Sequence, residues 1–83
     1  MANIDHTIDR IRVAGVIAIV RGQFSTRQIV SIASALMEGG LSMMEVTLNS
    51  TDALEHIRTL REHAGTRMMI GAGTVLDQKQ VKA

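Results

Sequence analysis

Three short apolar runs, Val16 to Arg21, Met43 to Asn49 and Met68 to Ala72, alternate with stretches whose apolar residues recur at helical spacing, and this alternation restricts the chain to few folds. The first run is β-branched and bounded by Gly15 and Gly22, the pattern of a short buried strand. Ser25 or Thr26 can cap the helix that follows, whose Ile29, Ile32, Ala33 and Leu36 form one stripe before Gly39 and Gly40 stop it. After the second run, Thr51 or Ser50 can cap a helix with Leu54, Ile57, Leu60 and Ala64 on one face and Gly65 at its end. Asp77 stands where a third cap belongs, followed only by Gln78 to Ala83. Ahead of the first run, Ile4, Ile8 and Ile11 predict a short amphipathic lead-in helix.

Strands joined through helices are parallel, with right-handed crossovers. A parallel sheet must be covered on its faces and closed or protected at its edges, and three strands leave an edge open on each side. The pattern therefore predicts an α/β chain whose residues 1–83 form a single partial domain, the opening units of either a doubly wound sheet or a (β/α)8 barrel. A free-standing βαβαβ domain is the weaker alternative.

Composition narrows the function classes. A net charge of +1 carries no nucleic-acid or membrane signal. Without cysteine there is neither a disulfide nor a thiolate metal site. The run Val13 to Val20 is too short to span a bilayer, and Asp5, Asp9 and Arg21 flank it unlike a secretory signal, so a cytoplasmic location is expected. With Phe24 the only aromatic residue, the core must be aliphatic and rich in Met.

Glu45 breaks the apolar run that contains it. Alternation along a strand from Met43 to Asn49 places Met44, Val46 and Leu48 on one side and Glu45, Thr47 and Asn49 on the other. Either Glu45 is a paired structural ion or lies on a wet face at a sheet edge, or it is an acid/base in a cavity. Arg21 ends the first strand, Asn49 ends the second and Thr74 follows the third, all at the carboxyl ends where α/β proteins build their sites. Arg21 offers a forked cation for a carboxylate or phosphate, and Asn49 offers both a donor and an acceptor. The segment Gly71-Ala72-Gly73-Thr74-Val75-Leu76 has Leu76 where a dinucleotide fingerprint needs its third glycine, and no Gly-Lys-Ser/Thr follows. Its glycines instead permit a turn or the close approach of a ligand.

Three stretches, Gly15-Val16-Ile17-Ala18-Ile19-Val20-Arg21, Gly39-Gly40 leading to Glu45-Val46-Thr47-Leu48, and Ile70-Gly71-Ala72-Gly73-Thr74-Val75-Leu76, resemble in order and spacing the 2-keto-3-deoxy-6-phosphogluconate (KDPG) and 4-hydroxy-2-oxoglutarate (KHG) aldolases and their phosphogalactonate-specific relatives. The resemblance implies the first three of the eight units of a TIM barrel. It also implies a class I aldolase, in which a lysine forms an imine with a keto acid and yields pyruvate and an aldehyde such as glyceraldehyde 3-phosphate. On it, Glu45 aligns with the general acid/base, and Thr74 with a hydroxyl that helps hold the pyruvate carboxylate. Arg21, Thr47 and Asn49 are the further candidate substrate contacts. Many members carry arginine where this chain has Asn49, and Asn49 with Arg21 is more similar to the phosphogalactonate branch. No cofactor or metal is implied, and the intact enzyme is expected to be a trimer acting on a small phosphorylated sugar acid.

The Schiff-base lysine of that family lies on the sixth strand, so neither Lys79 nor Lys82 is carried over as the nucleophile. If residues 1–83 were the whole polypeptide, no aldolase activity would be expected; a longer parent should have it. His6, His56 and His63 read as surface histidines, with His56 and His63 too few for a metal site. Two other classes remain open: a different phosphate-handling barrel isomerase or synthase that uses Glu45 without an imine, and a noncatalytic βα module that covers its edges by self-association.

Overall fold

The computed structural model describes residues 4–82, in the order α1 (Ile4–Ala14), β1 (Ala18–Val20), α2 (Thr26–Glu38), β2 (Met43–Thr47), α3 (Ala53–Ala64), β3 (Met69–Gly73) and α4 (Gln78–Lys82). The strands form one parallel sheet in the order β1-β2-β3, with Ile19 opposite Glu45 and Glu45 opposite Gly71. Both crossover helices pack on the same side: Ile29 and Ala33 of α2 share a core with Met44 and Val46 of β2 and with Ala53, Leu60 and Ala64 of α3. Consecutive strand order with both helices on one face is the arrangement of the first units of a (β/α)8 barrel, since a doubly wound sheet reverses its order and covers both faces.

Local chemistry sets the boundaries. Ser25 Oγ accepts from the Gln28 backbone N–H at 3.1 Å while Gln28 Oε1 accepts from the Ser25 N–H at 2.9 Å, a reciprocal cap that starts α2. The Asp77 carboxylate accepts from the Gln80 N–H at 2.8 Å and starts α4. The start of α3 differs from expectation. Neither Ser50 nor Thr51 caps it; Asp52 occupies the capping position in a left-handed conformation, φ 53°, without a side-chain bond. The Ser50 hydroxyl is engaged elsewhere, as described below.

The strands are also shorter than the runs that predict them. β1 begins at Ala18 instead of Val16 and stops before Arg21, and β2 ends at Thr47, two residues before Asn49. There the Leu48 N–H still reaches Gly73 O at 2.8 Å, but the Ser50 N–H turns back to Thr47 O at 3.0 Å, so Leu48 and Asn49 lie in a turn. β3 begins one residue later than predicted and runs on to Gly73.

The buried face of α3 is rotated from the predicted stripe. Leu54 is 47% exposed, whereas His56 is 3% exposed beside Ala53, Leu60 and Ala64, which corrects the reading of His56 as a surface residue. Small Ala53 and Ala64 let the helix approach the sheet closely, and that phase turns His56 inward. The lead-in helix α1 forms, yet it has no buried residue, and Ile4 is 73% exposed. A cleft of ≈ 1270 Å³ lies between Thr7 and Arg10 of α1, Ile57 of α3 and the Met69–Gly71 edge of β3. No helix among the described residues is long and apolar enough to cross a membrane.

Candidate functional site

The side of the sheet away from α2 and α3 carries Ile19 from β1, Met43, Glu45 and Thr47 from β2, and Gly71 and Gly73 from β3. Since β2 is the central strand, Glu45 does not stand at an edge. It is half-buried and has neither a hydrogen bond nor an ion pair among the described residues, so no structural ion partner for it lies within residues 4–82. Its lateral partner is Gly71, but its carboxylate leans one pleat further and lies over Gly73, toward the carboxyl ends of the strands.

At those ends Arg21 reaches across β2: its Nη2 donates to Thr74 Oγ1 at 3.2 Å, linking the residue after β1 to the residue after β3. Adjacent strands are spaced by about 4.8 Å, so the span of two gaps calls for a side chain as long as arginine. Thr74 has φ 55°, a left-handed conformation that a β-branched residue rarely adopts. Such strain of roughly 1–3 kcal/mol concentrates at binding and catalytic sites. The guanidinium is exposed and keeps donors free for an incoming anion.

Under this bridge lies a second link. Ser50 Oγ accepts from the Gly22 N–H at 3.1 Å and shares a 2.9 Å bond with Thr47 Oγ1. Gly22 adopts φ 142°, which glycine reaches at little steric expense. Thr47 is 1% exposed, so its hydroxyl holds the loops after β1 and β2 together from within. Asn49 is exposed in the turn after β2, and its side chain makes no hydrogen bond among the described residues. The structure thus brings Arg21, Thr47 and Thr74 into two hydrogen-bonded links around the Glu45 strand and leaves Asn49 free at their margin.

From sequence Ser50 reads only as a helix cap, whereas the structure makes it the junction between two loops. The one available signal was the pair of hydroxyls at Thr47 and Ser50, three residues apart across a strand end. Lys79 and Lys82 are exposed on α4. His63 bonds to Ser34 Oγ at 3.0 Å on the opposite, helical side of the sheet. Among the described residues no three His, Cys, Asp or Glu side chains gather where they could hold a metal ion.

Residues 4–83 match the family model described as KDPG and KHG aldolase. The chain is 39% identical over 82 residues to a 2-dehydro-3-deoxy-phosphogluconate aldolase of Pseudomonas aeruginosa, covering 99% of this chain and 35% of that protein. To a protein of the same name from Treponema pallidum it is 34% identical over 82 residues, covering 99% and 37% respectively. It is 39% identical over 66 residues to a probable 2-dehydro-3-deoxy-6-phosphogalactonate aldolase of Rhizobium meliloti, covering 80% of this chain and 31% of that one. The chain therefore spans about a third of the length of these curated relatives.

Proposed function

The chain belongs to the KDPG and KHG aldolase family, and on that premise we propose that it supplies the acid/base and carboxylate-binding part of a class I aldolase that cleaves a 2-keto-3-deoxy-6-phospho sugar acid to pyruvate and glyceraldehyde 3-phosphate. The observation that carries the reading is Glu45: a half-buried carboxylate with no partner among the described residues, on the central strand and leaning over Gly73 toward the ends that Arg21 and Thr74 bridge. A carboxyl group so placed, with no partner among the described residues, has a chemical use more readily than a structural one.

In the proposed reaction a lysine outside residues 1–83 condenses with the substrate ketone, losing water to form an imine. The bond between C3 and C4 breaks as the C4 hydroxyl loses its proton, the electron pair moves through C3 into the imine, and the aldehyde leaves. Protonation at C3 and hydrolysis then release pyruvate and restore the amine. Glu45 exchanges protons with the carbinolamine oxygen and, through water, with the reacting carbons. Arg21 and Thr74 hold the carboxylate, a cation and a hydroxyl already aligned across the strand ends. Thr47 braces this mouth from beneath, and Asn49 at its rim contacts a substrate oxygen.

The pairing of Arg21 after the first strand with Asn49, where many members carry arginine, supports the phosphogalactonate type. Assay of the two sugar-acid stereoisomers side by side tests this, and clear preference for the gluconate isomer would refute it. Incubation of the whole protein with pyruvate and borohydride should leave a covalent adduct visible by mass; absence of the adduct in an active preparation would sink the imine mechanism. The same reading carries a cytoplasmic trimer, with subunit number checked by sedimentation.

A further inference from the structure

The two glycines of β3 have no backbone reason to be glycine. The glycines with positive φ are Gly15, Gly22, Gly40 and Gly65, whereas Gly71 and Gly73 lie within β3 without positive φ. A glycine inside a strand weakens it relative to alanine, so each must be explained by space. The spaces differ. A Cβ built at Gly71 meets nothing within 4 Å, while a Cβ at Gly73 would overlap the Glu45 carboxylate and stand 2.5 Å from Glu45 Cδ and 3.0 Å from Glu45 Cγ. Gly73 is buried and Gly71 exposed. The carboxylate therefore occupies the volume that any side chain at residue 73 would take.

We infer that Gly73 is a positioning residue for Glu45: its bare Cα is the seat across which the carboxylate leans to reach the strand ends, and the open flank of Gly71, the lateral partner of Glu45, is the space through which a ligand approaches the carboxylate. The inference rests on the acid/base reading of Glu45. Without the seat, Glu45 would stand upright over Gly71 and fill the approach it is meant to serve. With it, the carboxylate is displaced one pleat toward Thr74 and the Arg21 guanidinium. A Cβ at residue 73 either forces the glutamate back or strains the sheet.

The test uses Gly73→Ala, Gly71→Ala, Glu45→Gln and Glu45→Ala in the whole protein, read by aldol cleavage and by urea unfolding. The crowded atoms are the end of a flexible side chain, so Gly73→Ala should expel the carboxylate, leaving unfolding within about threefold of wild type while kcat falls at least about tenfold with KM within about twofold. If the sheet instead takes up the strain, unfolding shifts about tenfold or more, and in the Glu45→Ala background that shift falls below about threefold. Gly71→Ala should leave unfolding within about threefold and raise KM. The seat is overturned if Gly73→Ala retains both wild-type stability and wild-type kcat, or shifts unfolding equally with and without the Glu45 side chain. If Glu45→Gln stays fully active while the stability coupling appears, the acid/base reading fails and the packing of Glu45 on Gly73 stands.

Discussion

Ser50→Ala tests the hydroxyl junction, because the change removes a single oxygen from which two bonds radiate. Its partner Thr47 is 1% exposed, so loss of the 2.9 Å bond leaves a buried hydroxyl without a protein partner. Such a group costs about 1–3 kcal/mol. The 3.1 Å bond from the Gly22 N–H is only part-buried, and its loss adds about 0.5–1 kcal/mol because water replaces some of it. The sum is about 1.5–4 kcal/mol, which at about 2–4 °C per kcal/mol for a parent of barrel length lowers Tm by at least roughly 3 °C. Urea unfolding followed by circular dichroism gives the value directly. The double change Thr47→Val and Ser50→Ala removes both hydroxyls, so the buried-orphan part should return and leave a loss of about 1 kcal/mol. A Ser50→Ala protein within about 0.5 kcal/mol of wild type, or strict additivity of the two changes, would refute the junction.

Leu60 is fully buried between α3 and the sheet, and Leu60→Ala should cost about 2–5 kcal/mol in the same unfolding assay; a loss under about 1 kcal/mol would mean that α3 does not pack as described. Arg21→Met keeps the apolar stem and removes the cation, so KM for the keto acid should rise about 10- to 100-fold while Tm holds, whereas an unchanged KM would remove Arg21 from the carboxylate site. Thr74→Gly relieves a left-handed threonine and should raise stability by up to about 1 kcal/mol while weakening keto-acid binding, and a stability loss above about 1 kcal/mol would show that no strain is stored there.

What was legible in the sequence depended on period, and what was missed depended on phase and contact. Periodicity identified the alternating elements, and the lone charge among apolar residues marked Glu45, because alternation needs no knowledge of partners. The phase of α3 was less legible: Leu54, Ile57, Leu60 and Ala64 fit a stripe as well as Ala53, His56, Leu60 and Ala64 do, and the choice between them follows from how closely Ala53 lets the helix approach β2 and β3. Strand ends were overrun for a related reason. Leu48 and Asn49 have nothing local against an extended conformation; the turn that removes them depends on Ser50 and on Gly73 O, a contact between residues far apart in sequence.

The Gly71-Ala72-Gly73 segment joins the two levels. As a string it invites comparison with phosphate-binding loops, in which glycine serves turning and close backbone approach. In the sheet its glycines are strand residues without positive φ, and their spacing of two residues places both on the face of Glu45. That spacing has a physical consequence. Glu45 pairs laterally with Gly71, so the first glycine is the neighbour beside the carboxylate and the second is the neighbour beneath it. A Glu-Val-Thr strand followed one unit later by Gly-x-Gly-Thr thus describes one arrangement in two separated pieces: an acid, the clearance that lets it lean toward the strand ends, and the hydroxyl waiting there. The register of β2 on β3 joins them, and a slip of one residue would turn the glutamate into the helical core.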